Sequence, residues 1–394
     1  MRVLVLAPHP FYQDRGTPID VLLVLRVLSE RPDTQVDLVT YHEGDDVELP
    51  DVRIFRSPAL PGLNNIRPGF SLKKVICDVL LFFTAWGLVR ENRYDLIHAG
   101  EEAVFLAMIF KRLYGIPFAY DLDSSIAQQL VEQKPFLKAF SDVFDWMERQ
   151  AIQEGLINFP VCNALAELCE SKGSTKTVTL HDISQLDDPE QVDPARLHRE
   201  VDLQEKTVFL YSGNLEPYQG IDLLLESFGI ALDHAPDLAL VIVGGEERNI
   251  TRYRAKASTL GVGGATFFLG PRPFEHLGDY LEGADVLVCP RIRGINTPMK
   301  IFPYLHSGQP VLATDLRTHN QVLTSDEAYL APADPEGFAR GMLTLANNPS
   351  LRRRLGRNGR AFVEENHTFE AHRNRLNDAY DWIEETLKGP ERKS

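Results

Sequence analysis

Three cations stand within ten residues in the stretch CPRIRGINTPMKIFPYLHSGQPVLATD (289–315): Arg291, Arg293 and Lys300. The arginines follow directly on DVLVCPR (285–291), an apolar run that reads as a buried strand. Thr297 has the chemistry of an N-cap and Pro298 suits a first helical position. A helix is therefore expected from 297 to about 307, stopped by Gly308. Unbonded N–H groups at such a helix start, beside guanidinium forks and an ammonium, are chemistry for a phosphate. Asn296 and Thr297 add neutral polar groups, and Pro303 implies a kink or a short first turn.

Other polar residues fall at strand ends in the same way. Gly213, Asn214 and Gln219 lie in SGNLEPYQGIDLLLESF (212–228), a strand-to-helix loop whose glycines let backbone N–H groups approach a ligand. Gly244 and Gly245 close LALVIVGG (238–245), and Arg272 follows ATFFLG (265–270). Near the N-terminus, HPFYQDRGTPID sets Gly16 before Thr17 and Pro18, a second capped and anion-ready helix start. His98 with Glu101 and Glu102, Asp121 with Asp123 and Ser124, and His181 with Asp182 also follow apolar runs. They are suited to orienting hydroxyls or moving protons. No Cys/His/Asp/Glu spacing suggests a metal site, and there is no nucleophile elbow or Walker loop.

These residues need a scaffold, and the chain supplies one twice. Strands are expected at 2–8, 35–42, 52–58, 94–100, 116–123, 156–162 and 177–182, with helices between them, including 72–91 and 137–154. A polar, Pro-containing segment at 187–206 reads as a linker. The alternation then restarts with strands at 207–213, 238–245, 265–270, 285–291, 310–315 and 328–334. The fold class is α/β: two tandem Rossmann-like, doubly wound parallel-sheet domains with an interdomain cleft, the ligand residues lying just after the strands. The domains are expected at 1–186 and 187–370.

Composition narrows the partners. The 394 residues carry 56 acidic against 41 basic side chains, a formal charge of -15, which argues against nucleic acid but leaves room for a local basic pocket. Cys77, Cys162, Cys169 and Cys289 are scattered in apolar surroundings and read as buried thiols. The N-terminal MRVLVLAPHP reads as a first strand rather than a signal core, so a cytoplasmic location is the default. The apolar stretch 75–89 is interrupted by Asp78 and is shorter than the ~20 residues of a span. With Lys73 and Lys74 ahead of it, the helix 72–91 fits either a core-packed helix or peripheral contact with a membrane surface.

The ordered series YSGNLEPYQGIDLLLESF, LALVIVGG, FLGPRPFEHLGDYLEGADVLVCPR and MKIFPYLHSGQPVLATD resembles the family 4 glycosyltransferases of GT-B fold, over nearly the whole chain. The resemblance implies a retaining, metal-independent transfer of a hexose from a nucleotide-diphosphate sugar, with no other cofactor. The acceptor, a glycan, lipid or small molecule, would be of the kind met in cell-envelope polysaccharide synthesis. It implies an N-terminal acceptor domain around Gly16, His98 and Asp123, and a C-terminal donor domain. There Gly213, Gly244, Gly245 and Arg272 would lie near the base and ribose, and Arg291, Arg293, Asn296, Thr297 and Lys300 near the diphosphate. His98, Asp123 and Lys300 are the catalytic candidates. The resemblance also implies that a C-terminal helix, about 371–388, crosses back onto the first domain.

The sequence departs from the family pattern where charge matters most. The family's Arg and Lys of the SGN loop are here Asn214 and Gln219, its paired glutamates are Ile295 and Pro303, and its His after the fifth strand is Asp123. Two readings follow: a re-tooled donor site using Arg291, Arg293 and Lys300, or a protein that has lost catalysis and binds a nucleotide or sugar. A nucleotide-sugar epimerase of the same fold is a third.

Overall fold

The computed structural model describes residues 1–13, 16–64, 66, 71–133, 135–186, 192–203 and 205–389. Residues 187–191 and 204 of the expected linker, and 390–394 of the polar tail, lie outside them. The chain divides into two units, Met1–His181 with His372–Ser394, and Asp182–Ala371. The division falls at 181/182, five residues before the expected boundary.

In the first unit, β1 (Arg2–Ala7), β2 (Gln35–Thr40), β3 (Val52–Arg56), β4 (Leu96–Gly100), β5 (Phe118–Leu122) and β6 (Ile157–Pro160) form one parallel sheet in the order β3-β2-β1-β4-β5-β6. The helices are α1 (Thr17–Glu30), α2 (Leu72–Glu91), α3 (Val104–Tyr114), α4 (Ile126–Gln133), α5 (Ser141–Glu154) and α6 (Asn163–Lys172). Strands such as RVLVLA are buried on both faces, so they read as continuous apolar runs rather than alternating ones. The helix ends follow local chemistry. Ser71 caps α2 by accepting from the Lys74 N–H at 3.2 Å, and α3 stops at Gly115, whose φ of 73° is left-handed. All four cysteines are buried, and none is in a disulfide.

Helix α2 has two apolar faces. Cys77, Leu81, Ala85 and Val89 pack into the core with Tyr41, Val104, Phe110 and Tyr120, while Leu72, Ile76, Val79 and Phe83 are exposed.

In the second unit, α7 (Ala195–Glu200) precedes β7 (Thr207–Ser212), α8 (Ile221–His234), β8 (Leu238–Val243), α9 (Glu247–Thr259), β9 (Thr266–Gly270), α10 (Leu277–Glu282), β10 (Val286–Cys289), α11 (Ile301–His306), β11 (Val311–Thr314), α12 (Arg317–Asn320), β12 (Tyr329–Ala331), α13 (Pro335–Ala346) and α14 (Pro349–Asn366). The sheet order is β12-β11-β10-β7-β8-β9, again all parallel. Successive residues on β7 enter different cores: Phe209 packs with Leu240 and Phe338, Leu210 with Val241 and Ile301. Each such fully buried side chain is worth roughly 1.5–3 kcal/mol of transfer free energy. Asp334 and Asn348 cap α13 and α14, each followed by proline at the first helical position.

The last helix, α15 (Phe369–Lys388), belongs from His372 onward to the first unit. Arg31 after α1 holds it, donating to Asn377 Oδ1 at 2.9 Å, Asp381 Oδ1 at 2.7 Å and Glu384 Oε1 at 3.0 Å.

Three expected elements differ. Residues 177–182 form no strand, only an isolated bridge from Thr177 to Asn158, although the segment runs beside β6, with Val178 N–H donating to the Asn158 carbonyl and Leu180 N–H to the Pro160 carbonyl, each at 3.0 Å. The helix expected from 137 begins at Ser141, after a 3-10 turn over Pro135–Phe140. The helix expected from Thr297 begins at Ile301 and has six residues.

Candidate functional site

In each sheet the order of strands reverses once, between β1 and β4 and between β7 and β10. The loops leaving the carboxyl ends of such a strand pair diverge and open a crevice, the usual place for a ligand.

At β7/β10 the two loops are stitched together. The Ile292 N–H donates to the Tyr218 carbonyl at 3.0 Å, and the Arg291 guanidinium lies 5.3 Å from the centre of the Tyr218 ring. Tyr304 of α11 bonds both backbone groups of Ser212, accepting from N–H at 2.6 Å and donating to C=O at 3.1 Å. Gly213 follows with φ 144°, and a Cβ there would collide with Lys300 Nζ. Gly244 is tied to the same spot, since a Cβ on it would strike the Gly213 carbonyl. Gly245 packs against Leu215.

Lys300 is the centre of this crevice. Its Nζ is shielded from solvent, has no hydrogen-bond partner, and lies 3.9 Å from the centre of the Tyr211 ring. Burial brings its pKa down to about 8, Cys289 opposing this and Arg291 adding to it. Gln219 Oε1 and Thr297 Oγ1 are likewise buried and unpartnered. Unmet donors and acceptors of this kind cost ~1–3 kcal/mol each until something fills them.

Arg291 is buried and organises its own loop, donating Nε–H to the Arg293 carbonyl at 2.8 Å and Nη2–H to Asn296 Oδ1 at 2.8 Å. Arg293 is exposed. Thr297 does not cap α11. Residues 299–300 form a turn, Ile301 N–H bonds the Pro298 carbonyl at 3.0 Å, and Pro303 falls in the first turn, where its missing N–H is tolerated. Asn214 is exposed, its Oδ1 accepting from the Glu216 N–H at 3.3 Å. Arg272 stands apart from Lys300 in its bonding: it is paired with Glu200 at 2.8 Å and donates to the Leu269 carbonyl at 2.6 Å.

Sequence reasoning missed His319, at the start of the segment after β11. It is fully buried, with Nε2 3.2 Å from Cys289 Sγ and Nδ1 2.9 Å from the Thr314 carbonyl. Burial pushes its pKa down to about 4, so it is neutral. Thr314 Oγ1 in turn donates to the Arg291 carbonyl at 2.5 Å. The chain thus anchors the Arg291 loop from behind through a histidine that no local motif marks.

At β1/β4 the chemistry is acidic. Gly16, not Thr17, is the N-cap residue of α1, with φ 43° and no side-chain cap bond. Glu101 and Glu102 follow β4 in a 3-10 turn, and Glu101 holds a left-handed φ of 44°, uncommon for a residue with a Cβ. Lys74 of α2 lies 2.5 Å from Glu102 Oε1 and 3.8 Å from Glu101 Oε2. One turn further along α2, Asp78 accepts from the Tyr41 hydroxyl. Burial, then the charge of Glu102, raise the pKa of both Asp78 and Glu101 to about 7.

His98 is 2% exposed, with Nδ1 2.8 Å from the Tyr380 hydroxyl, Nε2 3.3 Å from Asp121 Oδ2, and Phe159 stacked on it at 5.5 Å. Both ring nitrogens are engaged inside the unit, which holds the imidazole between Tyr380 and Asp121. Asp123 is partly exposed just beyond β5. His181 Nε2 is 3.1 Å from Asn163 Oδ1.

Among the described residues no group of His, Cys, Asp or Glu is arranged to hold a metal ion, and no helix is long and apolar enough to cross a membrane.

Residues 195–362 match the family model described as "Glycosyl transferases group 1". Phosphatidyl-myo-inositol mannosyltransferase of Mycobacterium tuberculosis is 28% identical over 166 residues, 41% of this chain and 43% of that protein. The chain matches less than half the length of the curated relatives. Sucrose-phosphate synthase from Thermosynechococcus elongatus superposes with a TM-score of 0.78 at 18% identity, covering 97% of this chain and 98% of that one. HepE of Anabaena in complex with UDP-glucose gives 0.74 at 15% identity, covering 97% and 100%. The fold is GT-B, with two Rossmann-like units.

Proposed function

We propose that this protein is a retaining, metal-independent glycosyltransferase of family 4 that moves a hexose from a nucleotide-diphosphate sugar to an acceptor hydroxyl, with no cofactor beyond the donor. The observation that carries the reading is the buried, unpartnered ammonium of Lys300 at the β7/β10 switch. A cation held out of water, with neighbours that leave its N–H groups unbonded, is preorganised for the charge of a leaving diphosphate. The similarity to glycosyl transferases group 1 and to a structure binding UDP-glucose supports the same assignment. Arg291 would act by shaping the loop and by its field, and Arg293 by reaching from the exposed rim. Gln219 and Thr297 offer neutral bonds where the family pattern has charge.

Calorimetric titration of the full-length protein with UDP, GDP and ADP tests the reading. One nucleotide should bind, and Lys300→Ala should abolish most of that binding. If none binds, or if Lys300→Ala binds unchanged, the reading is wrong.

The exposed face of α2 supports a cytoplasmic protein in peripheral contact with a bilayer. Leu72, Ile76, Val79 and Phe83 recur at helical spacing, with Lys73 and Arg90 at the two ends. The Trp86 indole donates to the Tyr114 hydroxyl at 2.7 Å beside them, an aromatic pair suited to a membrane interface. Sedimentation with vesicles containing acidic lipid should carry the protein down, and Val79→Glu with Phe83→Glu should release it. Equal sedimentation of wild type and variant would refute the contact.

A further inference from the structure

Helix α5 is fastened to the first unit on one side and bare on the other. Ala151 and Ile152 enter the core. Lys172 of α6 clamps the helix, its Nζ lying 2.6 Å from both Asp145 Oδ1 and Glu148 Oε2, and Glu148 also accepts from Ser125 Oγ at 2.9 Å. On the outward side Phe140, Val143 and Trp146 are 55%, 51% and 59% exposed. Residues three apart are neighbours on a helix surface, so these three make one apolar strip. Large side chains this open, side by side, mark a surface that meets a partner.

The charges along the strip say which partner. Asp142 and Arg149 flank Trp146, the acid toward the start of the helix and the base toward its end, and both are exposed. Arg149 is held only loosely, 3.7 Å from Asp145, whose carboxylate Lys172 already takes. Asp142 makes no ion pair among the described residues. Further out stand Lys138, exposed, and Glu154, shared with Arg112 at 2.6 Å. From 138 to 154 the order is therefore basic, acidic, tryptophan, basic, acidic. A second copy of the helix, turned end for end, sets 142 opposite 149 and 138 opposite 154, with Trp146 near the axis. Every charge then meets its opposite, twice over by the symmetry. A parallel alignment would set like against like. An acidic bilayer fits this rim poorly, because Asp142 and Glu154 would face the headgroups.

We propose that the outward side of α5 is a two-fold interface with a second copy of this chain. The two helices lie antiparallel, Trp146 and Val143 of both copies fill the centre, and Asp142 pairs with Arg149 across the axis at either end. Tryptophan and arginine are the residue types that carry most binding energy in such contacts. A helix already fixed by Lys172 has little freedom left to lose on pairing. One helix pair with its surroundings stands at the small end of specific interfaces, so the dimer is a weak one, with a dissociation constant on the order of 1–100 µM.

Sedimentation equilibrium of the full-length protein, from about 1 to about 200 µM, tests this directly. The wild type should pass from monomer to dimer across that range. Trp146→Glu, a change at an exposed position, should leave the protein monomeric with its melting temperature unchanged. Asp142→Arg and Arg149→Glu should each weaken the dimer about tenfold, since each sets two pairs of like charges together. Combined in one chain, they should restore it to within about threefold of wild type. That rescue requires the antiparallel pairing, and neither a loss of folding nor unspecific apolar contact would produce it. A wild type that stays monomeric throughout, a Trp146→Glu variant that dimerises like wild type, or a double reversal no tighter than the single ones would each overturn the interface. So would a monomeric wild type that sediments with acidic vesicles and loses this in Trp146→Glu, which would give the strip to a bilayer instead.

Discussion

The two sheets share one strand order and turn at equivalent strand pairs, but the side chains set on the two turns have opposite charge. At β7/β10 a single buried ammonium, Lys300, lies over Tyr211 with Arg291 behind it. At β1/β4 three carboxyls, Asp78, Glu101 and Glu102, lie around Lys74. Topology decides where a ligand can sit, and the few residues after each strand decide what it can be. On the proposed reading, the basic turn is the one that takes the anionic donor.

The contrast can be broken from its basic side first. Lys300→Ala should lower turnover ~10²–10³-fold if Nζ stabilises the leaving diphosphate, read as product formation under saturating donor. A variant with full turnover removes the basic pole. Next in size is His98→Ala in the acidic unit. The loss of two engaged ring bonds should cost ~1–3 kcal/mol of stability in denaturant unfolding, with UDP affinity untouched. A change in affinity as large as that in stability would mean that His98 belongs to the site after all.

The pH dependence of UDP affinity sharpens the comparison further. Lys300 carries its charge below about pH 8 and loses it above. Affinity should therefore be greatest below pH 8 and fall as pH rises through it, by at most about tenfold per unit, while Lys300→Met should give a flat profile. Rising affinity above pH 8 would contradict the assignment. The smallest effect expected is that of Arg272→Ala. Its guanidinium is held by Glu200 in a part-exposed ion pair worth ~0–1 kcal/mol. Calorimetry should show UDP affinity within about threefold of wild type, and a loss approaching that of Lys300→Ala would return Arg272 to the donor site.

The fold was legible because doubly buried parallel strands leave uninterrupted apolar runs, and nearly every one of those runs is a strand. The segment 177–182 misled because its alternation resembles a strand, although only Thr177 finds a bridge partner. The glycines and Lys300 were legible as strand-end residues. That its ammonium would be buried and unbonded was not, because this depends on Tyr211, eighty-nine positions earlier in the chain. The cap at Thr297 followed a sound local rule. The loop instead spends four further residues wrapping Arg291 before the helix starts, a choice made by Asn296, Thr314 and His319. His98 carried the right residue type at the right strand end. Its partner Tyr380, which takes it out of solvent, lies 282 residues away, and no spacing rule spans that gap.

That same bond has a consequence for how the molecule is made. The second unit is one uninterrupted stretch, Asp182–Ala371, whereas the first needs both ends of the chain. During synthesis, which proceeds from the N-terminus, residues 1–181 emerge early and must wait for Tyr380, Asn377 and Asp381 before His98 Nδ1 and the Arg31 guanidinium gain these bonds. The later unit can close before the earlier one is finished. A chain interrupted before α15 would lack the hydroxyl that bonds His98 and the carboxylates that pair with Arg31, so α15 acts as a latch on the first unit.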